Sequence, residues 1–309
     1  MSVNLSERPK VKKTSEVKNT QKMHLASVPS AEIDAVVGLY HENIFNVLGL
    51  HQIDDKQFAV RVFMPEANLV EMLAGDTEEV LSILEQVDER GFFVGLVCAE
   101  QSFNYRLRST FGENVVVLHD HYSFPPVIDE TDLYLFGEGT NERLYKWLGA
   151  HVRNIEGVDG VLFSVWAPNA KRVSVVGDFN FWDGRRHVMR KRIPSGVWEL
   201  FVPGVKVGVH YKNEILGGAN SVLPQNAAPM AFASESPPQT ASKVTDECRY
   251  EWQDADWQAR KAERGHQNQP VSIYEVHLGS WRRIPEDNQR YLSYGELTEQ
   301  LIPYVKELG

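Results

Sequence analysis

The feature that most constrains this chain is an internal duplication. His41–His51 resembles Asn141–His151, and Phe58–Ala67 resembles Val161–Ala170. In each copy a short apolar run ending in Gly and Asp follows, Leu69–Asp76 and then Arg172–Asp178. Arg90–Gly91 next introduces an apolar run, as Ser195–Gly196 does, and Phe103–Tyr105 matches Val209–Tyr211. Five markers in one order, with slowly drifting offsets, imply one folding unit built twice.

Each copy reads as short strands. Phe58, Val60 and Val62 alternate with Ala59, Arg61 and Phe63, and Val173, Val175 and Gly177 alternate with their neighbours. The breaks carry Pro, Gly, Asn and Asp, the residues of turns. Short strands at near-regular spacing predict antiparallel sandwiches. The expected fold is therefore mostly β, with two tandem immunoglobulin-like β-sandwiches over residues 36–130 and 131–245. Gly217–Lys243, rich in Gly, Ala, Ser and Pro, reads as a linker or wrap-around loop within the second.

The pattern changes over residues 246–309. Val271–Leu278 is apolar on both faces, as buried parallel strands are. A helix follows, opened by a Ser293/Glu296 capping box and striped by Leu297, Leu301, Val305 and Leu308, with Pro303 bending it. Together they predict a connector and the first βα unit of an incomplete (β/α)₈ barrel.

Charge and cysteine content narrow the function. A net charge of −10 argues against nucleic acid as the main partner, because phosphate binding needs a basic surface, whereas a neutral polysaccharide imposes no such demand. Cys98 and Cys248, far apart, make neither a disulfide framework nor a cysteine zinc site and suit a reducing cytoplasm. Residues 1–22 hold six basic and two acidic side chains. With no signal-peptide core behind them and no membrane-spanning run, residues 1–35 read as a flexible basic tail.

Several stretches then point to a family. Asp132–Gly139, Leu144–His151, Val165–Ala170, Val176–Arg186 and, most specifically, Ser272–Arg283 resemble bacterial glycogen branching enzymes of the α-amylase superfamily. The resemblance runs from about His41 to Gly309. It implies a cytoplasmic enzyme that cuts an α-1,4-glucan and transfers the released end to a 6-hydroxyl, making an α-1,6 branch. That is the chemistry of a retaining glycosidase, with paired carboxylates and no cofactor. In the family these acids sit on later barrel strands, so no catalytic residue is named here and the chain alone is expected to be inactive. The implied partner is an α-glucan, with neither nucleic acid nor membrane, and a second polypeptide carrying the missing barrel is a further expectation. The competing readings are a non-catalytic glucan-binding or regulatory module and a decayed gene remnant.

The resemblance also implies a carbohydrate site. In starch-binding sandwich modules of this type the tryptophan after Gly-x-Phe-Asn-x belongs to the glucan site, often with a lysine after the later Tyr. Here these are Trp182 and Lys212. An indole stacks on the apolar face of glucose and its N–H donates a hydrogen bond. The alternative is that Trp182 packs on its own loop while Lys212 is solvated. Phe181 stands where the family commonly has a small residue, Asn213 where an aromatic is usual, Ala228 where an Asp is usual, and Pro237 where an Arg is usual.

Other candidates read more plainly. Trp166 and Trp198 lie in strand patterns and are expected in the core. His119 and His121 can place two imidazoles on one strand face, but without a third ligand the His119–Asp120–His121 run reads as a turn, and no metal site is expected. Glu275 and His277 belong to the expected barrel strand. Glu286–Asp287 reads as a solvated turn, and Asp254 and Asp256, near Trp252 and Trp257, as an amphipathic connector.

Overall fold

The computed structural model describes residues 28–75, 77–246, 251–263, 270 and 272–308, which fall into two units divided after Arg249. Cys248 and Val271 lie outside the described residues, as does the expected tail up to residue 27. The last part of that tail corrects the sequence reading. Ser30–Val37 form a helix (α1) that buries Val36, because the strand face beneath it is itself apolar.

The first copy builds seven antiparallel strands: β1 (Gly49–Asp54), β2 (Gln57–Phe63), β3 (Leu69–Ala74), β4 (Val80–Asp88), β5 (Phe92–Cys98), β6 (Tyr105–Phe111) and β7 (Asn114–His119). They run in the order β1-β2-β5-β4-β3-β6-β7. One face of β2 and β5 meets β3 and β6 in a core of Phe58, Val60, Val62, Val70, Met72, Phe93 and Tyr105. The opposite face, with Ala59, Phe63, Phe92 and Val94, is covered by Val36 of α1. β2 is thus buried on both sides, so Ala59 and Phe63 alternate with Phe58, Val60 and Val62, with the charged Arg61 buried among them.

After Asp129 caps a helix (α2, Glu130–Glu138), the second copy repeats the plan in two four-stranded sheets. One sheet contains β8 (Gly149–Ile155), β9 (Val158–Trp166), β11 (Arg190–Arg192) and β12 (Val197–Pro203), ordered β11-β12-β9-β8. The other holds β10 (Arg172–Gly177), β13 (His210–Leu216), β14 (Ala233–Ser234) and β15 (Ser242–Lys243), ordered β10-β13-β15-β14. Val161, Phe163, Val173, Val175, Trp198, Leu200 and Tyr211 fill the space between them.

Repeated residues hold repeated geometry. The imidazole Nε2 of His51 donates to the Leu48 carbonyl at 2.9 Å, and that of His151 to Leu148 at the same distance. Gly49 and Gly149 both have φ near +100°, and a Cβ would lie 2.9 Å from the Tyr122 carbonyl oxygen in one and 2.4 Å from that of Met230 in the other. No residue but glycine serves there.

Residues 251–308 correct the barrel expectation. Ser272–His277 has no regular structure and gives way to a single helical turn, Leu278–Trp281 (α4), after an earlier helix, Ala255–Glu263 (α3). A parallel strand closes its hydrogen bonds only on neighbouring strands, and among the described residues this segment has none. The two-residue strands β16 (Arg283–Ile284) and β17 (Arg290–Tyr291) form a short hairpin. The predicted helix does form, as α5 (Tyr294–Glu307). Ser293 Oγ accepts from the Glu296 amide and Glu296 Oε2 accepts from the Ser293 amide, which completes the capping box, and Pro303 lies inside the helix. Its stripe is only partly covered: Leu297 is buried, whereas Leu308 is exposed.

Candidate functional site

The loop from Gly177 to Arg190 carries the residues of greatest interest. A Cβ at Gly177 would lie 2.3 Å from the His210 carbonyl oxygen, so glycine lets β10 close against β13. Asn180, buried at the loop's centre, braces it from inside. Its Oδ1 accepts from the Gly177 amide at 2.9 Å, and its Nδ2 donates to the Val175 carbonyl at 2.9 Å and to His187 Nδ1 at 3.0 Å. The chain then passes through two left-handed residues, Phe181 at φ 57° and Trp182 at φ 61°. Each costs on the order of 1 kcal/mol, repaid by the braced turn. The Trp182 amide donates to the Gly177 carbonyl at 3.1 Å. Phe181 is thereby pushed outward, 83% exposed, while Trp182 is half-buried.

Lys212 lies on β13 opposite Val176, beside the Gly177–Tyr211 pair that carries this turn. The two sequence candidates therefore share one corner of a sheet. The Lys212 ammonium donates to Thr240 Oγ1 at 2.8 Å. Asn213 is buried and exchanges backbone hydrogen bonds with Asn226, which ties β13 to the returning loop. Ala228 is buried likewise, its amide donating to Ser242 Oγ at 2.8 Å.

The remaining candidates separate. Trp198 is core, but Trp166 is 55% exposed and corrects the expectation: it faces outward at the end of β9, where Phe136 of α2 meets it edge-on and its indole N–H donates to the Ser195 carbonyl. Asp120 caps a turn over His121–Ser123, accepting from the Tyr122 amide and the Tyr105 hydroxyl. Glu275 and His277 are exposed, His277 Nδ1 pairing with Ser280 Oγ at 3.0 Å. Asp287 pairs with Arg290, Asp254 accepts from Gln258, and Trp252 and Trp257 are exposed.

Sequence reasoning missed a groove of about 780 Å³ between the two sandwiches. β7, an edge strand with Val115, Val116 and Leu118 exposed, forms one wall, and Phe181 and Asp183 contribute to the other. The guanidinium of Arg186 lies 5.4 Å from the Phe111 ring centroid and 6.0 Å from that of Phe181. Both local cations are neutralised: Arg185 pairs with Asp183 and with Glu66 of the first sandwich at 2.8 Å, and Arg186 pairs with Asp183 at 3.3 Å. Burial works to raise the Asp183 carboxyl, but the Arg185 and Arg186 bonds hold it below its ordinary value. Beneath lie His121 and His187, stacked at 4.4 Å. Burial pushes His121 down to about 3 and pushes His187 well below the imidazole range, where a proton on His121 or the Arg186 guanidinium would further oppose its charging, so both are neutral at pH 7.

Comparison with known proteins falls on the same two sandwiches. Residues 29–122 match the N-terminal domain of the alpha-1,4-glucan branching enzyme GlgB, and residues 147–227 match carbohydrate-binding module 48, the isoamylase N-terminal domain. The 1,4-alpha-glucan branching enzyme GlgB of Roseobacter denitrificans is 52% identical over 270 residues, covering 87% of this chain and 37% of that protein. The Cereibacter sphaeroides enzyme of the same name is 49% identical, covering 91% and 38%, and that of Saccharophagus degradans 45% identical, covering 92% and 39%. The chain thus spans less than two-fifths of the length of these relatives. By its two matched domains, in this order, and by these relatives, the chain belongs to the 1,4-alpha-glucan branching-enzyme family, whose N-terminal domain and carbohydrate-binding module it carries.

Proposed function

We propose that the chain serves as the glucan-binding part of a 1,4-alpha-glucan branching enzyme in the cytoplasm, holding an α-1,4 chain for transfer to a 6-hydroxyl. The observation that carries this reading is the carbohydrate-binding-module match over residues 147–227, which contains the strained turn bearing Trp182. On this reading Trp182 stacks on a glucose ring and the Lys212 ammonium donates to its hydroxyls. Residues 36–130 and 131–245 act as the two folding units and 246–309 as the lead into a barrel.

The chain by itself is not a branching catalyst on this reading. Retaining transfer needs two carboxyl groups about 5 Å apart across the sugar. On this reading the pair comes from a barrel outside these residues, further along the same protein or on a second polypeptide. The test is migration through a gel containing glycogen. The intact chain should be retarded, and Trp182→Ala should weaken retention by roughly three- to tenfold, the worth of one aromatic contact. Equal migration with and without glycogen would refute it. Incubation with amylose should leave branch content unchanged, and a rise would refute the inactive half of the proposal.

A further inference from the structure

The groove between the sandwiches has a composition that selects its ligand. Its apolar surface is not evenly greasy: an exposed aromatic ring, Phe181, shares the groove with the aliphatic side chains Val115, Val116 and Leu118 and with a guanidinium–carboxylate pair. Arg185 and Arg186 are both paired with Asp183 and Glu66, so no net positive charge remains to attract a phosphate or another anion. Among the described lining residues no carboxylate is left without a partner for a cation, since Asp183 and Glu66 are taken up by those arginines and Asp120 accepts from the Tyr105 hydroxyl and the Tyr122 amide. What remains suits a neutral polyol. A pyranose presents a C–H face that packs on an aromatic ring, and a rim of hydroxyls that donate to a carboxylate and accept from a guanidinium. The geometry of Phe181 supports a ligand role. A left-handed phenylalanine with 83% of its surface in water gains little for folding at that position.

We propose that this groove is a second α-glucan subsite, shared by the two sandwiches. Phe181 stacks on one glucose, Asp183 and Arg186 bind its hydroxyls, and Val116 and Leu118 of β7 line the opposite wall. The inference rests on the glucan reading given above, and the groove's second wall lies within the residues that match the carbohydrate-binding module. It adds to that reading a wall from the first sandwich, outside the module, and a site that does not use Trp182.

The experiment is calorimetric titration of the intact 309-residue chain with maltoheptaose, in four proteins: the wild type, Phe181→Gly, Val116→Glu and Trp182→Ala. Phe181→Gly removes the ring and relieves the left-handed strain, so a loss of affinity cannot come from unfolding. Val116 is exposed, so a glutamate there is tolerated, and a thermal melt verifies it. Each groove variant should weaken one binding event by roughly three- to tenfold while Trp182→Ala leaves that event in place. If Trp182→Ala alone removes all binding and Val116→Glu changes nothing, the groove is not a subsite although the chain still binds glucan. If Phe181→Gly weakens binding but Val116→Glu does not, the ring serves the Trp182 surface and the groove proposal falls. If the wild type binds no maltoheptaose, both readings fall together.

Discussion

The two sandwiches are built on one plan, yet they cover their outer faces differently. In the first, the strand position of Val94 on β5 lies in an apolar cluster under α1. The matching position in the second is Glu199 on β12, 2% exposed, which accepts from the Val127 and Ile128 amides and from Arg192. The turn between third and fourth strands also differs. It runs between β3 and β4 in the first copy and over residues 178–189 in the second, where Phe181 is exposed and Trp182 half-buried. The strand frame is shared, while the second copy has the longer turn and a charged residue on the matching face, and it is fastened to its twin through the segment between them.

The largest effect should come from acid, because it strikes the seam between the copies. His121 and His187 both have folded pKa values below the unfolded value of about 6.5, so below that pH the unfolded chain binds protons the folded chain refuses. Stability is present above pH 6.5 and is lost as pH falls toward 3. Asp120 opposes this: burial raises it to about 6, against a partial lowering by the Tyr105 hydroxyl bond, so it favours the fold in acid between pH 6 and 4. Two imidazoles outweigh one carboxyl, and the net slope is a fall. Melting temperature against pH should drop steeply below 6.5, and His187→Phe, which keeps the stack without a titrating nitrogen, should flatten the curve. A flat wild-type profile would mean that the rings are not held neutral at the seam.

Next in size is the contrast between Glu199 and Val94. Glu199→Ala leaves Arg192 and two backbone amides with a lost partner, a change worth about 3–5 kcal/mol where a buried pair is broken. Arg192 also reaches Glu130 and the Ile128 carbonyl, which places the loss at the lower end. Val94→Ala removes two methyl groups from a closed apolar face and should cost about 1–2 kcal/mol. Urea unfolding of the two variants measures the difference directly. Equal losses would show that the buried charge does not fasten the second sandwich.

The strand frame was legible because its markers are backbone devices. Gly49 and Gly149, Gly91 and Gly196, and the His51 and His151 rings each fix a local bond or a close approach, so their spacing survives in the sequence. The turn holding Trp182 was legible for the same reason. The groove was not, because Val116, Phe181 and Glu66 meet only after two units dock, and no local period records that. Trp166 was misjudged because strand alternation says which side a residue takes, not whether that side is covered. The Ser272–His277 segment failed as a strand because an apolar parallel strand states a demand for neighbours that it cannot itself supply.

The smallest effect separates two buried tyrosines at matching positions. Tyr105 and Tyr211 are each 1% exposed, and in each copy the ring fills the core. The Tyr105 hydroxyl donates to the buried Asp120, whereas that of Tyr211 has Ser242 as a polar neighbour but no hydrogen bond of normal geometry. Removing an oxygen that has a partner strands the partner; removing one without a partner strands nothing. Tyr105→Phe should therefore cost about 1–3 kcal/mol, while Tyr211→Phe should change stability by no more than about 0.5 kcal/mol and in either direction. Tyr105→Phe should also let the Asp120 carboxyl rise further, since one of the bonds that lowers it is gone, and so extend the acid-side stabilisation that Asp120 provides. Chemical denaturation at pH 7 and again at pH 5 tests both halves. If Tyr211→Phe proves as costly as Tyr105→Phe, the second copy holds a hydroxyl bond of its own and the two cores are closer in chemistry than their side-chain partners indicate.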